Sequence, residues 1–182
     1  LARTRAGGPP AFTVSADVAG LGVSPTRALP GVSGITAVLS GTDARGRVAL
    51  RSQSAALDWP RLFRWPIALQ QASADLDWRH DGEAWVFGTR ALRLQHAAGH
   101  AEGSFQIRIP RQPESPVLDI EATVAGSDAS ITPQFLPVGR LKPRSLAWLD
   151  RAFAKGQVLN GKFSYHGPTR SFPFRNGEGV FD

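Results

Sequence analysis

The 182-residue sequence contains no cysteine and no methionine. Without cysteine there is no disulfide framework, thiolate zinc site, iron–sulfur cluster or thiol nucleophile. The absence fits an oxidising compartment without requiring one. Methionine is missing even at position 1, so an internal section of a longer chain is expected. Long apolar runs are missing too. None approaches the roughly 18 residues that a membrane-spanning helix needs. Leu1 to Ala6 lead into Gly7, Gly8, Pro9 and Pro10 and not into the apolar core of a secretory signal. Lysine is scarce: Lys142, Lys155 and Lys162 stand alone beside many arginines.

What is present supports a folded chain. Hydrophobic residues make up 42% and charged residues 20%, a balance that favours a core over disorder. The length suits one sizeable domain or two small ones. The net charge is +6 and the isoelectric point about 10.9. Arg47, Arg51, Arg61, Arg64, Arg79, Arg90, Arg93, Arg108 and Arg111 are spread singly, unlike the clustered basic and aromatic residues of a nucleic-acid surface. Nucleic acid is therefore not an expected partner.

Alternation with a period of two dominates the first two thirds. Phe12, Val14, Ala16 and Val18 share one side, opposite Thr13, Ser15 and Asp17. The same pattern places Ile35 with Leu39, Val48 with Leu50, and Leu76 with Trp78. It continues through Trp85, Phe87, Leu92 and Leu94, then Phe105, Ile107 and Ile109, then Leu118, Ile120, Ala122 and Val124. Between the runs, Asp43–Gly46 and His80–Glu83 read as hairpin loops, and Gly99–Gly103 as a further hairpin turn. The spacing predicts an antiparallel meander of about eight or more strands over about 11–126. Trp59–Pro66 interrupts it, bracketed by two prolines that do not suit a central strand. It reads as a short helical turn or an Ω-type excursion with Leu62, Phe63 and Trp65 folded back onto the sheet, or, as the functional alternative, an exposed aromatic-rich loop.

One helix is expected, from Pro143 to Lys155, inside a connection spanning about 132–156. Pro143 suits a first helical position and Gly156 the residue beyond the last turn. Leu146, Leu149 and Phe153 recur at i, i+3 and i+7 as an apolar stripe. Strands resume over 157–182.

The expected fold is thus mainly β, with 1–182 as a single β-rich segment. Its apolar face must be buried against something, yet one short helix is too little cover. The sheet either closes as a sandwich or partly open barrel, curls into a groove part-covered by the helix, or pairs with further chain. Acyl chains would be natural occupants of an open apolar trough.

Catalytic constellations are lacking. His96 and His100 have i, i+4 spacing but lie in a strand–turn region without the glutamate of a zincin motif. Gly31-Val-Ser-Gly34 has the wrong spacing for a nucleophile elbow. Asp75 and Asp77 share the solvent side of one strand. Nothing brings nucleophile, base and oxyanion donor together, so no enzyme, metal or cofactor is expected.

The C-terminal third carries a specific pattern: Phe135-Leu-Pro-Val-Gly139, Leu146-Ala-Trp-Leu-Asp-Arg-Ala-Phe153, Gly156-Gln-Val-Leu-Asn-Gly161, Tyr165-His-Gly-Pro168 and Phe172-Pro-Phe-Arg-Asn-Gly-Glu-Gly-Val-Phe181. With Leu29-Pro-Gly-Val-Ser-Gly34 and Leu57-Asp-Trp-Pro-Arg-Leu-Phe63, it resembles the YhdP-type branch of the AsmA-like proteins, closely after Gln134 and loosely before. The resemblance implies a long envelope protein anchored in the inner membrane by an N-terminal helix. Such proteins span the periplasm as a continuous β-sheet groove and carry phospholipid towards the outer membrane. The chain would then be an internal section, contacting phospholipid acyl chains, the rest of its own chain and other envelope proteins. Phe12, Val14, Ile35, Leu39, Val48, Leu50, Leu76, Trp78, Phe105, Ile107, Leu118 and Ile120 would line the groove or pack under the helix. A structural docking module of the envelope is the alternative, and a glycan-binding surface using Trp59, Trp65 or Trp85 a further one.

Overall fold

The computed structural model describes residues 12–26, 29–111, 114–128, 131–136, 138–152, 155–171, 177 and 179–182. Seven long strands follow one another: β1 (Thr13–Val23), β2 (Gly31–Thr42), β3 (Arg45–Asp58), β4 (Ile67–His80), β5 (Ala84–His96), β6 (Gly99–Pro110) and β7 (Val117–Ala125). Each pairs antiparallel with the next. The chain then leaves the sheet through β8 (Ser127–Asp128), a one-turn helix α1 (Thr132–Phe135), a 3-10 turn (Val138–Arg140) and a longer helix α2 (Pro143–Ala152). A short strand β9 (Gln157–Val158) pairs with β8. The chain re-enters the main sheet as β10 (Gly161–Pro168) beside β7, and β11 (Val180–Phe181) pairs with β10. The result is one nine-stranded sheet whose first and last strands do not meet, so it is not closed into a barrel.

Register turns the alternation of each strand into continuous cross-strand rows. One row runs Ala16, Leu39, Val48, Leu76, Thr89, Phe105, Ile120, Tyr165. A second runs Val14, Gly41, Gly46, Trp78, Phe87, Ile107, Leu118, Gly167. A third runs Val18, Ala37, Leu50, Ala74, Leu92, Gly103, Ala122, Phe163. Directly paired residues share a face, so the three rows form one apolar face eight strands wide. In the second row, the Trp78 ring lies against Gly41 and Gly46, where a Cβ would collide with it.

Register shifts interrupt the ladders at Val18/Leu21, Ser33/Ala37, Ala74/Leu76 and Thr89/Leu92. Gly20 (φ 66°), Gly34 (φ 69°) and Ser54 (φ 54°) take the left-handed conformation at such irregularities. Bulges bend a strand and increase its twist. The Thr36 N–H donates to Ser52 Oγ at 2.9 Å where the β2–β3 ladder is shifted.

No second layer extends across the apolar face among the described residues. Among the described residues, the buried side chains beyond glycine are those of Ala37, Ala55, Ala72, Ala74, Ala84, Val86, Ser52 and Thr89, none of them large. The described residues therefore build an open sheet and no sandwich core.

Two local expectations need correction, and a third reaches past the described residues. The hairpin expected at Gly99–Gly103 turns earlier, at Ala97–Ala98. The His96 ring nitrogen Nδ1 accepts the Ala98 N–H at 3.1 Å, and the Gln95 amide donates to the His96 and Gly99 carbonyls at 3.1 and 3.2 Å. Gly103 instead lies mid-strand, where a Cβ would run into the Glu121 carbonyl of the neighbouring strand. In the 59–66 excursion, the Leu62 and Phe63 N–H groups donate to the Trp59 carbonyl, both at 2.9 Å, and both side chains are half-buried. Trp65, expected to fold back, is 53% exposed. Helix α2 is described only to Ala152, and Phe153 lies outside the described residues.

Replacing Gly103 with valine forces backbone apart and is expected to cost about 1–3 kcal/mol. Gly22→Ala, where a Cβ meets nothing nearer than 3.9 Å, is expected to be nearly neutral. Urea denaturation of the two variants checks the difference.

Candidate functional site

The apolar face is the most extended chemical feature of the chain. Of the twelve residues singled out above, ten stand in its three rows: Val14, Trp78, Ile107 and Leu118; Leu39, Val48, Leu76, Phe105 and Ile120; and Leu50. Ile35 pairs with Leu21 and sits two residues before Ala37, on the same side. Phe12 precedes β1 and lines a hollow with Trp78 and Trp85. Phe12 is 57% exposed and the other eleven are half-buried. A packed core would bury such side chains completely.

The face extends beyond these twelve. Phe87, Leu92, Ile109, Phe163 and Tyr165 lie on it by register, and Phe87 and Ile109 are 38% and 37% exposed. Their alternation is visible in the sequence. Leu21, Leu57, Ile67 and Leu69 were hidden, because the irregularities at Gly20 and Ser54 break the period of two before it reaches them.

The two ends of the face differ. Beside the Asp43–Ala44 turn lies an open hollow of about 430 Å³, lined by Phe12, Trp78, Trp85, Phe87 and Ile109. Trp85 stacks on Phe87 with ring centroids 5.9 Å apart. At the opposite end, an apolar pocket of about 370 Å³ has a floor that includes Leu57, Leu69, Leu94 and Val124. Its cover comes from Ile131, Phe135 and Val158. Phe135 sets its ring edge-on to His96 at 5.3 Å.

The element expected to cover the sheet was α2, but the cover at this pocket is α1 with the β8–β9 ribbon. No residue of α2 is fully buried, and Leu146 and Leu149 are half-buried. Asp150 of α2 pairs with Arg64 of the 59–66 excursion at 2.7 Å. That pairing draws the helix to the excursion, a long-range contact that no local pattern reveals.

The other face is polar and ionic. Arg51 pairs with Asp75 at 2.9 Å, Arg93 with Glu102 at 3.3 Å and Arg79 with Asp77 at 3.8 Å. His166 meets Asp119. These side chains are well exposed, and such pairs contribute little each, about 0–1 kcal/mol. Their consequence is directional: they keep this face in water. Val86 lies on this side between Arg79 and Arg108 in the ladder, and is 2% exposed beneath their neighbourhood.

Among the described residues, the side chains weighed for catalysis have other surroundings. Asp75 and Asp77 are engaged by arginines on the polar face. His96 and His100 occupy adjacent ladder positions and both border the apolar end pocket, with His96 held against Phe135. Among the described residues, no group of three or more potential ligands could hold a metal ion. No helix among them is long and apolar enough to cross a membrane, which leaves strand-based crossing unaddressed. Trp59 and Trp65 flank the excursion at one end of the sheet while Trp85 stands at the other. They form no shared flat platform for a glycan.

A family model described as YhdP protein matches residues 2–182. The intermembrane phospholipid transporter YhdP of Escherichia coli (strain K12) is 25% identical over 154 residues. That alignment covers 85% of this chain and 12% of the relative, so the chain spans a small part of the relative's length. The relative is named as a transporter and not as an enzyme. No solved structure matches.

At the β4–β5 hairpin, one carboxylate is strongly perturbed. A hydrogen bond from Arg108, then the N–H of Ala84, hold the Asp81 pKa down at about 2, against an ordinary 3.8. A depressed carboxylate contributes stability above its unfolded pKa and loses it as pH falls through the folded value. Arg108→Met is therefore expected to move the onset of acid unfolding of this hairpin up, out of the 2–3.8 window and towards the ordinary carboxylate range. Hydrogen exchange at Ala84 across an acid titration measures it.

Proposed function

The chain belongs to the YhdP family, and on that footing we propose that its apolar face is one section of a hydrophobic groove along which phospholipid moves between the inner and outer membranes. The observation that carries this reading is the eight-strand-wide apolar face whose large side chains are only half-buried. An exposed apolar patch of more than a few hundred Å² marks a binding surface. Acyl chains suit it because their attraction to Val14, Leu39, Val48, Leu50, Leu76, Phe105, Ile107 and Ile120 needs no directional bond. Each methylene taken out of water contributes about 0.8 kcal/mol, so even partial shielding holds a lipid chain. The headgroup stays in water, which gives little selectivity among headgroups.

On this reading 1–182 acts as one β-rich section of a longer, periplasmic chain whose inner-membrane anchor lies elsewhere. The section has no catalytic role. The open edge of β1 and the edge at β10–β11 offer backbone groups through which neighbouring sections extend the sheet. The end pocket beneath α1, about 370 Å³, is within the roughly 300–1,000 Å³ of ordinary ligand sites. It shelters the end of an acyl chain where the rest of the face is open.

Photocross-linking along one strand tests the groove directly. A benzophenone side chain at position 107 or 50, on the apolar face, is expected to capture phospholipid in the cell envelope. The same group at 106 or 51, one residue away on the polar face, is expected to capture none. Equal labelling at both pairs of positions contradicts the groove.

A further inference from the structure

The net positive charge does not reside in the dispersed arginines of the strands. The excursion 59–66 and the segment 138–155 together hold seven basic residues and one acidic residue, Asp150. That local balance of +6 equals the net charge of the whole chain, so the rest of the sequence is neutral. The two segments also touch. Asp150 pairs with Arg64 at 2.7 Å, the Gly139 N–H donates to the Leu62 carbonyl at 3.4 Å, and Gly139 lies too close to the Arg61 carbonyl for any Cβ.

Helical periodicity divides α2 into two flanks. Leu146, Leu149 and Asp150 lie on the flank tied to the excursion, and the two leucines are half-buried. Arg144, Trp148 and Arg151, spaced i, i+4 and i+7, lie on the other, and all three are exposed, Trp148 by 63%. Arg144 and Arg151 make no ion pair among the described residues. Trp65 is 53% exposed, with the Arg64 guanidinium 5.8 Å from its ring centre. Indole rings flanked by cations match the boundary between headgroups and acyl chains, where tryptophan places its apolar body and polar N–H. Anionic headgroups add an attraction of about 1 kcal/mol per arginine or lysine.

We propose that the outer flank of α2 and the Trp59–Pro66 excursion form a docking surface for an anionic phospholipid bilayer. Charge alone would also suit an acidic protein, but two exposed indoles favour the bilayer interface. The excursion connects β3 to β4, whose Leu57 and Ile67 near its two ends both line the end pocket of the apolar face. Docking here brings that end of the face to the headgroup plane. The proposal does not depend on the groove reading, because Arg144, Trp148 and Arg151 lie outside the apolar rows.

The test uses flotation and tryptophan fluorescence of the purified chain with two kinds of vesicle, phosphatidylcholine alone and phosphatidylcholine with phosphatidylglycerol. Binding and a blue shift are expected only with the anionic vesicles, weakening as salt rises. Arg144→Gln with Arg151→Gln is expected to lower that affinity about 30-fold, and Trp148→Ala to remove most of the blue shift. Arg93→Gln, on the polar sheet face, leaves both unchanged and controls for bulk charge. Circular dichroism confirms that each variant is folded. Equal binding to neutral vesicles, or undiminished binding by the double arginine variant, overturns the proposal. So does soluble polyglutamate that displaces the chain from vesicles at low concentration, which would identify an acidic protein partner. Groove occupancy is read separately by cross-linking at position 107, so failure of either idea is distinguishable from failure of the other.

Discussion

An amphipathic sheet has to hide its apolar face, and among the described residues most of this one has nothing to hide it against. Every other property of the chain follows from that constraint. Register carries a predominantly apolar face across eight strands in three cross-strand rows. Among the described residues, neither a long helix nor any sheet beyond the two-stranded β8–β9 ribbon at one end lies over them. The fully buried side chains are small, and the large ones stop halfway. In a closed domain this arrangement would forfeit much of the hydrophobic stabilisation that folding relies on. In a conduit it is the working surface.

The sheet holds together by other means. Its strands are long, up to 14 residues, and each interior strand is paired on both sides. Side-chain packing within the face replaces packing between layers: the Trp78 ring rests on Gly41 and Gly46, and Trp85 on Phe87. On the opposite face, paired charges fix which side meets water. Among the described residues, a local second layer comes from α1 with the β8–β9 ribbon, closing one end around Phe135. The long helix stands apart from that cover, tethered through Asp150 to Arg64.

Much of this architecture was legible because a period of two needs no long-range information. Val14, Leu39, Leu76, Phe105 and Ile120 announce their side within their own strands, and adjacent hairpins do the rest. Legibility failed where local and global patterns part. Residues beyond the irregularities at Gly20 and Ser54, such as Leu21 and Leu57, belong to the face although the alternation leading to them is broken. Gly103 read as a turn residue, but close approach of the neighbouring strand is what requires it. The one-turn α1 is too short to carry a periodic signal, so its covering role went to the more obvious helix. The charge cluster around α2 was also hidden, because its two halves are separated by some 70 residues of sequence and meet only through tertiary structure.

The central claim is that the apolar face holds lipid when the chain is folded. Native mass spectrometry of the chain, purified from a Gram-negative envelope under conditions that preserve the sheet, tests it most directly. The account predicts a chain mass accompanied by discrete additions of phospholipid, with mixed headgroups reflecting the membrane of origin. Bare chain alone, in a sample whose sheet is intact by circular dichroism, would contradict it.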